Sequence, residues 1–257
     1  MNVDVHTYSP VDVSGGQGDA ISGDSGLALF HAACVGNVEA VHAVMSSGYC
    51  DVDQYDKTGR TALHWAVERG HEGVVEVLVT AYHASVDVVS FESESPLLLA
   101  VVTGRLAIVK QLLSYGAQTQ HTNRDGASAL HLAAGLGLSD IVLELIHQGA
   151  WIELEDGEGE SPLFYAIRES HLPVVRSLLE AGASAAHPNN DQDTPLSLAH
   201  ECCNPHDSTS ATILQLLSTH TAPAPQRQNL LEPFTRVESR SFGSSSGNLC
   251  GFLTKTI

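Results

Sequence analysis

The stretch RTALHWAVERGHEGVVEVL, residues 60–78, decides the fold. If it formed one continuous helix, His64, Glu68 and His71 would lie along one face, at positions i, i+4 and i+7. Two imidazoles and a carboxylate on one face suit a zinc site or acid–base chemistry. The stretch therefore raises two alternatives, a catalytic or metal site and a structural unit, and the rest of the sequence distinguishes them.

The pattern Leu-x-x-Ala recurs six times at nearly constant spacing. Its leucines are 34, 34, 33, 33 and 33 residues apart: Leu29, Leu63, Leu97, Leu130, Leu163 and Leu196. A second apolar pattern at i, i+3 and i+4 follows in most units, as in residues 72–79, and predicts a second helix. Between the two patterns, Gly70 predicts the end of the first helix, because glycine adopts the left-handed conformation without steric cost.

These units resemble the ankyrin repeat. GRTALHWAVERGHEGVVEVL (59–78), GASALHLAAGLGLSDIVLELIHQGA (126–150) and GESPLFYAIRESHLPVVRSLLEAGA (159–183) are similar to its T-P-L-H-x-A-A-x-x-G-H…V-x-x-L-L-x-x-G-A pattern. The resemblance implies an all-α solenoid of stacked helix pairs with hairpin-like fingers, over residues 27–220. A single helix pair cannot bury both of its faces, so the units must stack. Repeats are expected near 27–60, 61–94, 95–127, 128–160, 161–193 and 194–220.

The repeat gives His64 a structural interpretation. The equivalent positions hold Phe30, Leu98, His131, Phe164 and Ser197, which indicates a packing position. The resemblance implies that a histidine here hydrogen-bonds to the backbone of a connector. His71 lies beyond Gly70, so the helix that would align it with His64 is interrupted. We therefore predict no catalytic residue and no metal ligand in this stretch.

Charge and cysteine content disfavour several classes of function. Lysine and arginine total 12 against 30 aspartates and glutamates, for a formal charge of −18. This balance disfavours nucleic acid and anionic membranes as ligands and permits a basic protein partner. Five cysteines without framework spacing, an opening that lacks a secretory signal, and no run of ~20 apolar residues predict a cytoplasmic or nuclear protein. We expect a monomer without a cofactor.

The two ends of the chain differ in composition from the repeats. Residues 1–26 contain aspartate and glycine but no lysine or arginine, which predicts disorder. Residues 221–257 contain serine, glycine and proline and are predicted to form a flexible tail. NLCGFLTKTI, residues 248–257, is similar to a fragment of the SOCS box. One alternative function is therefore an adaptor that recruits a second complex, such as a ubiquitin ligase, through the tail.

A second alternative rests on HECCNPH, residues 200–206, where ligand-type residues crowd together: His200, Cys202, Cys203 and His206. They suggest a metal-binding or enzymatic role. Adjacent cysteines chelate one tetrahedral ion poorly, however, and closed zinc sites prefer Cys-x2–4-Cys pairs. The sequence contains no phosphate-binding loop, nucleophile elbow or kinase signature. We therefore expect a non-enzymatic protein.

The acidic residues concentrate in five connectors between the repeats. We call these the first to fifth fingers: residues 49–60, 83–94, 117–127, 150–160 and 183–193. They hold fourteen of the 30 acidic residues, about twice the average density. Tyr55, Phe91 and Trp151 occupy the same segments, and aromatic residues ringed by charge are typical of interfaces. Solvated loops without a ligand are the alternative interpretation of the acids.

The expected function is protein binding in a groove lined by the fingers and the first helices. We predict an aromatic centre and a solvated acidic rim that hold a basic protein segment. The rim is assigned to Glu92, Glu94, Asp125, Glu158 and Glu160. The complete set of predicted partner-binding residues is Tyr55, Arg60, Arg69, Phe91, Glu92, Glu94, Arg124, Asp125, Trp151, Glu158, Glu160 and Arg168.

Overall fold

The computed structural model describes residues 22–202 and 208–221, which form twelve helices and no named strand. The first helices of the six repeats are α1 Ser22–Val35, α3 Ala62–Arg69, α5 Pro96–Val102, α7 Ala129–Gly135, α9 Pro162–Arg168 and α11 Pro195–Cys202. The second helices are α2 Val38–Ser46, α4 Glu72–Thr80, α6 Leu106–Ser114, α8 Ser139–His147, α10 Leu172–Glu180 and α12 Ser208–Thr221.

The helices alternate between two layers. Each first helix packs against the first helix of the next repeat, from α1 to α11, and the second helices form a parallel row from α2 to α12. Within each repeat the first helix also packs against the second. The arrangement confirms the predicted all-α solenoid of stacked helix pairs.

The boundary between α3 and α4 depends on Gly70, which takes a left-handed conformation with φ of 82°. A Cβ atom here would also lie 2.8 Å from the guanidinium carbon of Arg105 in the next repeat, so that side chain would have to move. The first helix ends at Arg69 and the second begins at Glu72. His64 and His71 therefore lie on different helices.

The Leu-x-x-Ala leucines form the core between the layers. In the first five repeats they are at most 1% exposed: Leu29, Leu63, Leu97, Leu130 and Leu163. Leu196 in the sixth repeat is only partly buried. Among the described residues, no further repeat packs over α11, so one side of this leucine lacks a cover.

The first helix of the solenoid begins before residue 27, where the repeats were expected to start. Helix α1 begins at Ser22, inside the segment predicted to be disordered, and Gly26 is buried where a Cβ atom would lie 2.5 Å from Nε2 of Gln54. Residues 1–21 and 222–257 lie outside the described residues, as does the short stretch 203–207 between α11 and α12. The prediction of an adaptor tail and most of the predicted N-terminal disorder fall on those residues.

Replacing Leu130 with Ala should lower the free energy of unfolding by about 2–5 kcal/mol, because it opens a cavity in a fully buried position. Leu143→Ala is the matched control, since the Leu143 side chain on α8 is 53% exposed and its loss should cost much less. Urea denaturation followed by circular dichroism measures both. Equal costs would contradict the assignment of the buried face.

Candidate functional site

Each finger turn is held by one polar side chain at its start. In the first finger, Oδ1 of Asp56 accepts hydrogen bonds from the backbone N–H groups of Thr58 and Arg60, at 2.8 and 3.0 Å. The same pair of contacts recurs one repeat apart, made by Ser90, Asn123, Asp156 and Asn189. Asp56 and Asp156 thus act on their own turns, and their carboxylates are not free for a partner.

A second set of acids joins neighbouring repeats. Oδ1 of Asp53 accepts a hydrogen bond from the backbone N–H of Ser85 in the next repeat, at 2.9 Å. Equivalent bonds run from the N–H of Gln118 to Asp87 and from the N–H of Ser184 to Glu153. These carboxylates satisfy backbone donors between repeats, so part of the acid enrichment of the fingers has a structural cause.

Ion pairs neutralise a third set of charged side chains on the fingers. Arg60 contacts Glu94 of the next finger at 2.7 Å and Glu68 at the end of α3 at 3.0 Å. Burial alone would lower the pKa of the Arg60 guanidinium, but the hydrogen bond to Glu94 and the nearby carboxylates outweigh it and raise that pKa. The guanidinium also lies over the ring of Trp65, 5.6 Å from its centroid. Arg60 and Glu94 therefore form a structural cluster between neighbouring fingers.

Glu160 differs from the prediction. It was assigned to a solvated rim, but it is 4% exposed and forms an ion pair with Arg168. This pair repeats the geometry of Arg60 and Glu68 with the charges exchanged, because in each case a finger residue contacts a residue eight positions later on the first helix. The pair withdraws Glu160 from the solvent, so the expectation of a solvated carboxylate is wrong.

The remaining charges on the fingers and first helices are exposed and make no ion pair among the described residues. The acids are Asp51 on the first finger, Asp125, Glu158, Asp191 and Asp193 on the third to fifth fingers, Glu169 just after α9, and Glu201 on α11. The bases are Lys57 at the tip of the first finger and Arg69 at the end of α3. The free negative charge is thus concentrated toward the C-terminal half of the row of fingers.

The predicted aromatic centre divides into two places. Tyr55 and Phe91 meet edge to face, 5.8 Å between ring centroids, and are 62% and 59% exposed. Trp151, also 62% exposed, instead lines an open depression with Ile152, Leu154 and Gly182. In the part of the chain that the structure describes, no ring contact joins Trp151 to the other two. The three residues therefore do not form one cluster.

Adjacent fingertips are linked by main-chain hydrogen bonds, with one exception. The bonds run from the N–H groups of Phe91, Gly157 and Asn190 to the carbonyls of Thr58, Asp125 and Glu158, respectively, at 2.8–3.0 Å. Between the second and third fingers, Nη2 of Arg124 donates to the carbonyl of Phe91 at 2.6 Å, and Nη1 lies 2.8 Å from Glu92. Within residues 22–202, no backbone hydrogen bond joins these two tips. A flexible side chain makes the link here.

The second and fifth fingers have unfavourable turn chemistry. Ser93 and Gln192 adopt positive φ values of 60° and 69° at the position where the first, third and fourth fingers have Gly59, Gly126 and Gly159. A left-handed conformation costs a residue with a side chain about 1–2 kcal/mol. Such strain is frequent at sites of function. One of these two strained fingers, the second, carries Phe91.

The histidine side chains of the opening stretch form hydrogen bonds with backbone groups. His64 is fully buried; its Nδ1 accepts the N–H of Thr61 at 3.1 Å, and its Nε2 donates to the carbonyl of Glu94 at 3.1 Å. His131 makes the equivalent contacts with Ser128 and Glu160. His71 bonds instead to the carbonyl of Cys34 in the preceding repeat. These bonds match the structural role that the family resemblance implied.

The second candidate metal site is only partly described. His200 and Cys202 are exposed at the end of α11, whereas Cys203 and His206 lie outside the described residues. Among the residues that the structure does describe, no group of three or more His, Cys, Asp or Glu side chains is placed to hold a metal ion.

Comparison with known proteins supports the repeat assignment. A family model described as ankyrin repeats (3 copies) matches residues 17–90, 82–156 and 139–223. Over 85 residues the chain is 35% identical to palmitoyltransferase AKR1 of Candida glabrata. That match covers 32% of this chain and 11% of the relative, so the chain spans only a small part of that protein's length. None of the described helices is long and apolar enough to cross a membrane.

The buried histidines should make stability depend on pH. Burial lowers the pKa of His131, so the unfolded chain binds the proton first as the pH falls. Stability should therefore be full above the ordinary histidine pKa of about 6.5 and decline as the pH falls through it. His131→Phe, which copies Phe164, should flatten the dependence of the unfolding free energy on pH between about 7.5 and 5. Replacing the exposed His147 with Gln is the control, and equal slopes in both variants would refute the explanation.

The finger turn offers a second test. Asp156→Ala removes the acceptor for two backbone N–H groups and for the Tyr165 hydroxyl, and should cost about 1–3 kcal/mol in unfolding free energy. Asp156→Asn keeps the turn, as Asn123 does, and should cost less. It should also bring down the pKa of Tyr165, which burial and the bond to Asp156 raise. Ultraviolet titration of tyrosine reads this change, and an alanine variant as stable as wild type would refute the role of Asp156.

Proposed function

Because the chain belongs to the ankyrin-repeat family, whose repeats are non-catalytic interaction modules, we propose that it is a protein-binding scaffold. Its fingers and first helices hold a segment of a partner protein that carries basic residues. The observation that supports this assignment best is the exposed Tyr55–Phe91 pair on the row of fingers, beside carboxylates that have no ion-pair partner among the described residues.

The aromatic pair supplies apolar contact area. Both rings are more than half exposed, Tyr55 on the first finger and Phe91 on the second, and aromatic side chains dominate the energetics of protein interfaces. The N–H of Phe91 donates to the carbonyl of Thr58 at 3.0 Å, so a main-chain hydrogen bond holds the two fingers that carry the pair together. An apolar residue of a partner would cover surface that water now contacts.

The free acids supply the electrostatic selectivity. Asp125 and Glu158 lie on neighbouring fingers, and exposed charges of one sign attract a basic segment and repel an acidic one. Their effect falls mainly on the association rate and is screened by salt. Asp125 and Glu158 are therefore the acids that we assign to the partner.

The twelve residues predicted from the sequence fall into two groups in this proposal. The first would contact the partner: Tyr55, Arg69, Phe91, Asp125, Trp151 and Glu158. The second would hold the surface in shape through pairs that already exist: Arg60, Glu92, Glu94, Arg124, Glu160 and Arg168. Trp151 would contribute a separate apolar contact, away from the Tyr55–Phe91 pair.

The proposal includes neither catalysis nor a cofactor. Both fully buried histidines are bonded to the backbone, which leaves neither of them poised for proton transfer. We do not extend the activity named for the palmitoyltransferase to this chain, because the match covers 11% of that protein. The net charge of −18 favours a protein partner over nucleic acid. We place the protein, as a monomer, in the cytoplasm or the nucleus.

A partner captured with the full chain allows a kinetic test. Asp125→Lys with Glu158→Lys should slow association about tenfold at low salt and weaken its salt dependence. Glu76→Lys with Glu180→Lys is the matched control, because it changes the net charge equally at exposed positions on the second helices. Surface plasmon resonance at two salt concentrations measures the rates. Equal rates for the two double variants would exclude the acidic fingers from binding.

The apolar contact is tested separately. Phe91→Ala should speed dissociation at any salt concentration, because it removes a contact worth about 2 kcal/mol or more. Leu143→Ala, which removes an exposed apolar side chain from a second helix, is the control. If the partner dissociates from Phe91→Ala at the same rate as from wild type, it does not bind at the Tyr55–Phe91 pair.

A further inference from the structure

Trp151 stands on the most acidic of the five fingers. The fourth finger has five carboxylates and no lysine or arginine: Glu153, Glu155, Asp156, Glu158 and Glu160. The fifth finger adds Asp191 and Asp193 and also contains no lysine or arginine. The nearest arginines along the chain are Arg168, which is paired with Glu160, and the exposed Arg176, six residues before Gly182 on α10. The surroundings of the Trp151 ring are therefore negatively charged.

The depression beside Trp151 combines apolar surface with two of these carboxylates. Ile152 and Leu154 line it together with Gly182, and Glu153 and Glu155 complete the lining. The Trp151 side chain is 62% exposed. A Cβ atom at Gly182 would meet no other atom within 4 Å, so this side of the depression is open. Such a surface suits a side chain that has an apolar stem and a positively charged end.

The two carboxylates converge on one side chain of the next finger. Nδ1 of His187 lies 3.7 Å from Oε2 of Glu153, and its Nε2 lies 3.2 Å from Oε1 of Glu155. Oε1 of Glu153 accepts the N–H of Ser184, whereas its Oε2 accepts no hydrogen bond from the described residues. A neutral imidazole leaves both negative charges uncompensated. A cation brought into the depression would compensate them.

From this arrangement we infer that the depression is a subsite for an arginine side chain of the partner. The planar guanidinium stacks on the exposed face of Trp151 and donates hydrogen bonds to Glu155, close to the charge of Glu153. The aliphatic stem of the arginine covers Ile152 and Leu154. The inference rests on the proposed function and gives Trp151 a specific ligand, a cation, in addition to an apolar contact.

The subsite can be tested by nuclear magnetic resonance on the ¹⁵N-labelled full-length chain. The chain has two tryptophans, Trp65 and Trp151, and Trp151→Phe identifies the indole N–H resonance of each. The probe is Nα-acetyl-arginine methylamide, and its citrulline counterpart has the same shape without the charge. The arginine probe should shift the Trp151 resonance saturably at concentrations on the order of millimolar, and the citrulline probe should bind about threefold more weakly or less. The Trp65 indole, which donates to Asp56, should not shift.

Two pairs of variants test the carboxylates. Glu153→Gln with Glu155→Gln removes both charges, keeps an acceptor for the N–H of Ser184, and should reduce the affinity for the arginine probe to that for the citrulline probe. Glu39→Gln with Glu76→Gln is the matched control, because it removes the same charge at exposed positions on α2 and α4. His187→Lys should weaken binding about threefold or more, because its cation compensates the carboxylates, and His187→Gln should not.

The inference and the proposed function fail in different ways. Equal binding of the two probes, no saturable shift at Trp151, or unchanged affinity after Glu153→Gln with Glu155→Gln would overturn the arginine subsite. The proposed function still stands in those cases if a captured partner dissociates faster from Phe91→Ala than from wild type. If the partner ignores the fingers while the arginine probe still binds at Trp151, the proposed function is refuted and the subsite is retained.

Discussion

The constraint on which this structure depends is that its helices are too short to be stable alone. The interior first helices have seven or eight residues, about two turns, and isolated helices of that length do not persist in water. They are stable because each is covered by the first helices on either side and by the second helix of its own repeat. Many of the polar interactions described above connect one repeat to the next, as His71 does when it bonds to the carbonyl of Cys34.

This dependence explains why the residues of the core could be predicted from the sequence. Leu130 and Ala133 are fully buried because a period of 33 or 34 residues places them at the same point in every unit, where a neighbour must cover them. Position in the repeat thus determines burial. The same reasoning identified the slot of His64 as a packing position, since its equivalent Phe164 is also buried.

The roles of the surface residues were much harder to predict from the sequence. In the sequence, Asp156, Glu160 and Glu158 are three acids of one finger, yet one holds its turn, one pairs with Arg168, and one has no ion-pair partner among the described residues. Their roles depend on side chains eight residues away and on backbone donors, which a local count of charge ignores. One signal was present, because Asp or Asn recurs in four of the five finger turns at the period of the repeat. A recurrent polar residue in a turn indicates a backbone acceptor.

The exceptional link between the second and third fingers has a mechanical consequence. Along the finger edge, main-chain hydrogen bonds act as short, stiff connections, whereas the Arg124 side chain has several rotatable bonds and yields at lower force. The spacing between the second and third fingers, next to Phe91, should therefore be the easiest in the row to adjust.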